Sequence, residues 1–399
     1  MHERETDAAI DGRAAAMLER TVAWAAVNSG TANLAGLATM AGLLADAFSA
    51  LPGKVRLVDP DPVEQVDAAG RATPVRRGRH LHLAVRPHAP VQILLTGHMD
   101  TVFAADDPFQ AVTRLGADRI GGPGVADMKG GLVAMLAALE AFETTPRAAG
   151  LGYEVVVNAD EETGSGASAA LIARAAQGKA ASLTYEPALA DGGLAGARPG
   201  SGNFAFVVRG RRAHAGRNPE DGRNAVAAAA DLALRLAAAA GAGLSVNPAR
   251  IEGGGPNNVV PDLAVLHVNL RPATPADQRR AEAAIAAAVA RVGADHEVAV
   301  LAHGGFARPP KPLDRAAERL HALVHRCGIG MGLALASRTT GGVCDGNNIA
   351  ACGVPVVDTM GVRGGGIHSP GEYLEVASLA ERAKLSARVL LALAEGGRP

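Results

Sequence analysis

Histidine and carboxylate side chains recur in this chain directly after short apolar runs. VQILLTG (Val91–Gly97) is followed by His98-Met99-Asp100, and YEVVVNA (Tyr153–Ala159) by Asp160-Glu161-Glu162. The run ASLTY (Ala181–Tyr185) leads straight into Glu186, and VPVVDTMG (Val354–Gly361) into a glycine-rich turn and His368. A further carboxylate, Asp127, lies in GGPGVADMKGG just ahead of a predicted helix, where the helix dipole favours negative charge. Two imidazoles with several carboxylates and no thiolate form a mixed nitrogen and oxygen donor set. Such a set suits zinc, cobalt or manganese better than calcium or magnesium, which prefer oxygen shells. The excess of carboxylates over the needs of one ion points to two ions sharing a bridging Asp, at about 3.5–4 Å from each other.

Each signal has an ordinary alternative. A single HxD occurs by chance, and Asp-Glu-Glu after a strand usually makes a solvated helix cap. GGPG has neither the strand before it nor the Lys-Ser/Thr after it that a phosphate-binding loop requires. His80 and His82 alternate in HLHLAV and read as structural or solvent-facing. The force of the case is joint, because the apolar runs deliver these groups to one edge of a sheet. In open α/β sheets that edge, outside the carboxyl ends of the strands, is where ligands bind.

The elements that must position these groups follow from the pattern. The Val-, Leu- and Ile-rich runs alternate with helices predicted over Lys129–Phe142, Gly166–Gln177, Leu313–Cys327 and Val376–Glu395. That alternation predicts an α/β fold with a mixed, mainly parallel sheet covered on both faces. From Gly202 the rhythm changes to strand (Phe204–Gly210), helix (Asn224–Ala240), strand (Leu244–Glu252), strand (Asp262–Leu270), helix (Pro275–Val292) and strand (His296–Ala302). This is the order of a ferredoxin-like α+β unit. Pro199-Gly200 and Pro309-Pro310 punctuate its ends. The expected division is therefore 1–199 with 309–399 as one domain and 200–308 as an insertion.

Length and composition agree with that division. A chain of 399 residues, 48% hydrophobic and 20% charged, exceeds one typical core. A net charge of −1 lacks the basic footprint of a nucleic-acid binder. No stretch reaches the roughly 20 apolar residues that span a bilayer, and the charged N-terminal sequence does not read as a secretory signal. Cys327, Cys344 and Cys352 have no metal-like spacing and are expected to be buried thiols of a cytoplasmic protein.

A set of motifs carries a family resemblance. These are GHMDTV (Gly97–Val102), GPGVADMKGG (Gly122–Gly131), NADEETGSGAS (Asn158–Ser168), YEP (Tyr185–Pro187), GRRAHAG (Gly210–Gly216), NNVVP (Asn257–Pro261), TTGGVCDGN (Thr339–Asn347) and GGIHSPGEY (Gly365–Tyr373). In this order they resemble the M20-type metallopeptidase family that contains glutamate carboxypeptidase, acetylornithine deacetylase and succinyl-diaminopimelate desuccinylase. The resemblance implies a di-zinc site, with cobalt or manganese as substitutes. It assigns His98, Asp127 and Glu186 to one metal, and Asp127, Glu162 and His368 to the other. It makes Glu161 the general base and Asp100 the partner that orients His98. It also implies a cis peptide bond after Asp127.

For the inserted unit the resemblance implies a lid and dimerisation domain in a homodimer. His214 would stabilise the oxyanion and Asn258 would contact substrate, both across the dimer. Arg271 and the N–H of Gly342 would hold the carboxylate of a small amide or dipeptide substrate. Two departures concern specificity. Gly341–Asn347 reads GGVCDGN, with Cys344 where a small polar residue is usual, and the ADM at Ala126–Met128 is more deacylase-like. The expected activity is glutamate carboxypeptidase-like hydrolysis, with small-acyl N-deacylation as the alternative. A non-catalytic metal-binding relative would have lost the base or a ligand, and every matched position is present.

Overall fold

A computed structural model describes residues 2–396. Its central sheet has six strands in the order Lys54–Val58, His80–Val85, Leu151–Asn158, Val91–His98, Ala181–Thr184 and Val356–Val357. The last four run parallel, and the first two pair antiparallel at one edge. The parallel strands are continuous apolar runs because both of their faces are covered. Ile93, Leu95, Val155 and Val157 enter the main core, whereas the alternate residues Leu94 and Val156 enter a second cluster. The helices Gly130–Glu143 and Ala377–Ala394 pack into the first, and Ala169–Ala176 into the second.

Helix Gly130–Glu143 lies so close to the sheet that a Cβ at Gly131 would stand 2.3 Å from the carbonyl oxygen of Tyr185. Only glycine fits there, and this approach brings the segment before the helix alongside Glu186.

The ferredoxin-like unit forms as expected, with adjusted boundaries. Its strands lie in the order Leu244–Gly253, Leu263–Pro272, Ser201–Arg209, Ala299–Arg308, each antiparallel to its neighbour. Helices Ala225–Ala238 and Pro275–His296 cover one face, and Phe206, Val208, Leu266, Leu232 and Ile285 make a separate core. Asn224 caps the first helix, and a Thr274–Asp277 capping box with Pro275 starts the second.

Three expectations shift. The final strand of this unit is Ala299–Arg308 instead of His296–Ala302. Helix propensity carries the preceding helix through Gly293 to His296, and Gly304-Gly305 does not end the strand. The expected strand Val354–Gly361 contributes only Val356–Val357 to the central sheet. The chain beyond it joins a small antiparallel sheet with Tyr373–Glu375, Arg119–Gly121 and Thr113–Arg114. Among the cysteines only Cys344 is buried. Cys327 is half-buried, and Cys352 is exposed because it ends the helix Asp345–Ala351.

Candidate active site

His98 ends its strand with its side chain 1% exposed. Its Nδ1 lies 2.9 Å from the backbone oxygen of Asp100, which leaves Nε2 facing Asp127 Oδ1 at 3.1 Å and Glu186 Oε2 at 3.8 Å. His368 comes from the loop of the small sheet, in the left-handed region at φ 60°. Its Nε2 stands 3.2 Å from Asp127 Oδ2 and 3.3 Å from Glu162 Oε2. The two oxygens of Asp127 thus face different imidazoles. The Asp127–Met128 bond is cis.

Burial penalises the charge on Asp127, but the imidazoles of His368 and His98 outweigh it and hold the carboxyl below the usual range. The same burial drives Glu162 up to about 7, and pushes Glu186 and Glu161 upward. Hydrogen bonds to Asp127 and then Glu162 raise His368 to about 10. These directions share one cause, a crowded acidic cluster withdrawn from water. Glu186 Oε1 is buried without a hydrogen-bond partner among the described residues. His98, Asp127 and Glu162 present ligand atoms within 4.8 Å of one another, as do His98, Glu161 and Glu186. Cations would supply the missing partner and relieve the repulsion, so the residues fit metal ions of the kind that accept imidazole and carboxylate.

The carboxylate of Asp100 is 3.5 Å from His98 Nδ1, farther than the residue's own backbone oxygen. It also accepts from Thr31 Oγ1 (2.7 Å) and from the backbone N–H of Glu161 (3.1 Å) and Glu162 (3.2 Å). Its geometry therefore orders the turn that presents both glutamates.

The groups assigned to substrate fall into two places. Arg271 donates from Nε to Asn269 Oδ1 (3.1 Å) and from Nη1 to the oxygen of Gly341 (3.0 Å), which sets it beside Gly342. His214 and Asn258 come together on neighbouring loops, where Ala215 N–H donates to the Asn258 oxygen at 2.9 Å. His214 Nδ1 accepts from the N–H groups of Gly216 and Arg217, both at 3.1 Å. Among the described residues, neither His214 nor Asn258 contacts the His98–Asp127 cluster. Outside the site, His80 is buried between the Ala167 oxygen and Ala159 N–H, and His82 pairs with Glu154.

Several residues around the cluster were not found from the sequence. Glu372 is 1% exposed and accepts three backbone N–H bonds from the Asp127 turn. Asp345 accepts from Asn158, Ser165 and Arg308. Asp358 binds Arg198 through Nε (2.7 Å) and Nη2 (3.0 Å), and Lys311 at 3.0 Å, where both crossings to the ferredoxin-like unit meet. Glu372 belongs to GGIHSPGEY and Asp345 to TTGGVCDGN, so the motifs held a signal that residue chemistry alone did not.

The model of peptidase family M20/M25/M40 matches residues 94–392, and the chain belongs to that family: it is a hydrolase that uses metal to cleave amide bonds. The chain is 31% identical to carboxypeptidase G2 of Pseudomonas sp. (strain RS-16), over 76% of this chain and 74% of that one. It is 28% identical to succinyl-diaminopimelate desuccinylase of Acinetobacter baylyi, over 75% and 80% of the two chains. Among solved structures, an M20 family metallo-carboxypeptidase from Sulfolobus solfataricus shares the fold with a TM-score of 0.71 at 15% identity, covering 95% of this chain and 99% of that one.

Proposed function

We propose that the chain releases an amino acid bearing a free α-carboxylate from a peptide or N-acyl group, in the manner of a glutamate carboxypeptidase. The observation that carries the two-metal part is Asp127, whose oxygens face His98 and His368 separately. His98, Asp127 and Glu186 would hold one ion, and Asp127, Glu162 and His368 the other, with zinc the expected metal and cobalt or manganese able to replace it. When bound, such ions acidify water and polarise the scissile carbonyl. Glu161 accepts the proton of the attacking water and passes it to the leaving amine. Asp100 fixes the backbone of Glu161 and Glu162 so that each carboxylate keeps its own task.

Arg271 on the ferredoxin-like sheet would clamp the substrate carboxylate, for which a planar guanidinium is suited, with the N–H of Gly342 beside it. The separate cores support a catalytic domain of 1–199 and 309–399 and an inserted lid of 200–308. The separation of His214 and Asn258 from the cluster supports their acting on the site of a second copy in a homodimer. The three unpaired thiols favour a reducing cytoplasm, and among the described residues no helix is long and apolar enough to cross a membrane.

Product analysis tests the substrate class. The purified protein, reconstituted with zinc, cobalt or manganese, is offered N-acyl-glutamates and N-acetyl-ornithine. Preferential release of glutamate supports the proposal. Preference for N-acetyl-ornithine would establish the deacylase reading, which the desuccinylase relative and the Cys344-Asp345-Gly346 segment favour. Hydrolysis of none, with any of the metals, would return the non-catalytic reading.

A further inference from the structure

The side chain of Glu161 is not held by its own loop. Arg308 Nη2 donates to Glu161 Oε1 at 2.6 Å, to the Glu161 backbone oxygen at 3.1 Å and to Ser165 Oγ at 3.0 Å. Arg308 Nη1 donates to Asp345 Oδ1 and Asn348 Oδ1, both at 2.8 Å. The guanidinium is 4% exposed, and the Glu161 and Asp345 side chains are 10% and 2% exposed.

Arg308 is the last residue of the strand leaving the ferredoxin-like sheet, just ahead of Pro309-Pro310. Its backbone is fastened on both sides. Asn348 Nδ2 donates to the Ala307 oxygen (2.7 Å), and Asn347 Nδ2 to the oxygens of Pro309 and Pro199 (both 2.8 Å). The helix Asp345–Ala351 therefore grips both crossings between the two sheets, and the guanidinium projects from that grip onto Glu161.

Glu161 and then Asp345 supply the counter-charges of the buried guanidinium. Of the two carboxylate oxygens of Glu161, Nη2 engages Oε1 alone, and Oε2 has no hydrogen-bond partner among the described residues. The planar fork fixes which carboxylate oxygen remains open, which a point charge on a flexible stem does less well.

We propose that Arg308 is a positioning residue that aims Glu161, so that the joint of the inserted unit sets the geometry of proton transfer. This rests on Glu161 being the general base. A misplacement of about 1 Å in such a group can cost about 100-fold in rate.

The test compares Arg308→Lys, Arg308→Gln, Glu161→Gln and the double variant R308K/E161Q in the full-length, metal-loaded protein. Each is measured for kcat, KM and bound metal. The expected result is a kcat lower by about 10-fold in R308K and about 100-fold in R308Q, with KM within about 2-fold and full metal content. R308K should cost nothing further in the E161Q background, because the residue acts through Glu161. Loss carried by KM or by metal, or an equal R308K loss with and without Glu161, would overturn the proposal. Wild-type kcat in R308K beside an inactive E161Q would also overturn it, while leaving Glu161 as the base. An active E161Q would overturn the base itself. R308K retains charge and length, so it decides the matter even where R308Q fails to fold.

Discussion

The carboxylate of Glu372 accepts from the backbone N–H of Asp127 at 3.0 Å, and from those of Ala126 and Gly124 at 2.9 and 3.1 Å. One side chain thus satisfies three donors of a turn whose backbone is non-helical at Asp127 and Met128. Glu372 lies four residues after His368 in the same segment, so the turn carrying one ligand is tied to the loop carrying another.

Glu372→Gln places an amide N–H₂ against backbone N–H donors and loosens that tie. Metal affinity should fall by about 10–100-fold, the usual effect of removing a group that orients ligands. A competition titration against a chromogenic chelator measures it, and unchanged affinity would show that the turn holds without Glu372.

Asp358 is fully buried between Arg198 and Lys311. Removing the shared counter-charge in Asp358→Asn leaves two buried cations uncompensated and should cost about 3–5 kcal/mol of stability. Urea denaturation reads this, and a change below about 1 kcal/mol would count against the charged hub as a structural joint.

His321 is buried with Nδ1 2.7 Å from Ser337 Oγ. Burial, and then the charge of Lys311, lower it from 6.5 to about 4. Its folded pKa lies below its unfolded one, so the unfolded chain binds the proton first as pH falls. The stabilisation is whole above about 6.5 and is lost as pH falls through that window to about 4, amounting to about 3 kcal/mol. Urea midpoints across this range should fall for the wild type and fall less for His321→Asn. Parallel curves would exclude His321 as the source.

His214 and Asn258 sit together but apart from the cluster. Mixing inactive His214→Ala with inactive Glu161→Ala subunits should restore part of the activity, since one site per mixed dimer regains both groups. No recovery after verified subunit exchange would place His214 outside the reaction or within its own chain's site.

Much of the cluster was legible because position in a strand reports position in space. His98, Glu161 and Glu186 follow continuous apolar runs, and parallel strands deliver such residues to a common edge. His368 was legible from the apolar run and glycine-rich turn ahead of it, but its true support was not, because that run pairs over just Val356–Val357 and its loop belongs to another sheet. Arg308 was hidden, since its contact with Glu161 spans 147 residues of sequence and its strand passes through Gly304-Gly305. Asp100 was legible from its place two residues after His98, but its bonds to the backbone N–H groups of Glu161 and Glu162 were not, because they span 61 and 62 residues of sequence. Helix ends blurred where alanine supplies propensity without a polar face to mark the boundary.

The central claim is that adjacent carboxylates divide the work, Glu162 holding metal and Glu161 moving a proton. Metal content and turnover of Glu161→Ala and Glu162→Ala, measured side by side, test it most directly. Glu161→Ala should keep the full complement of metal and lose most turnover, whereas Glu162→Ala should lose one ion. Equal metal loss in both variants would contradict the division.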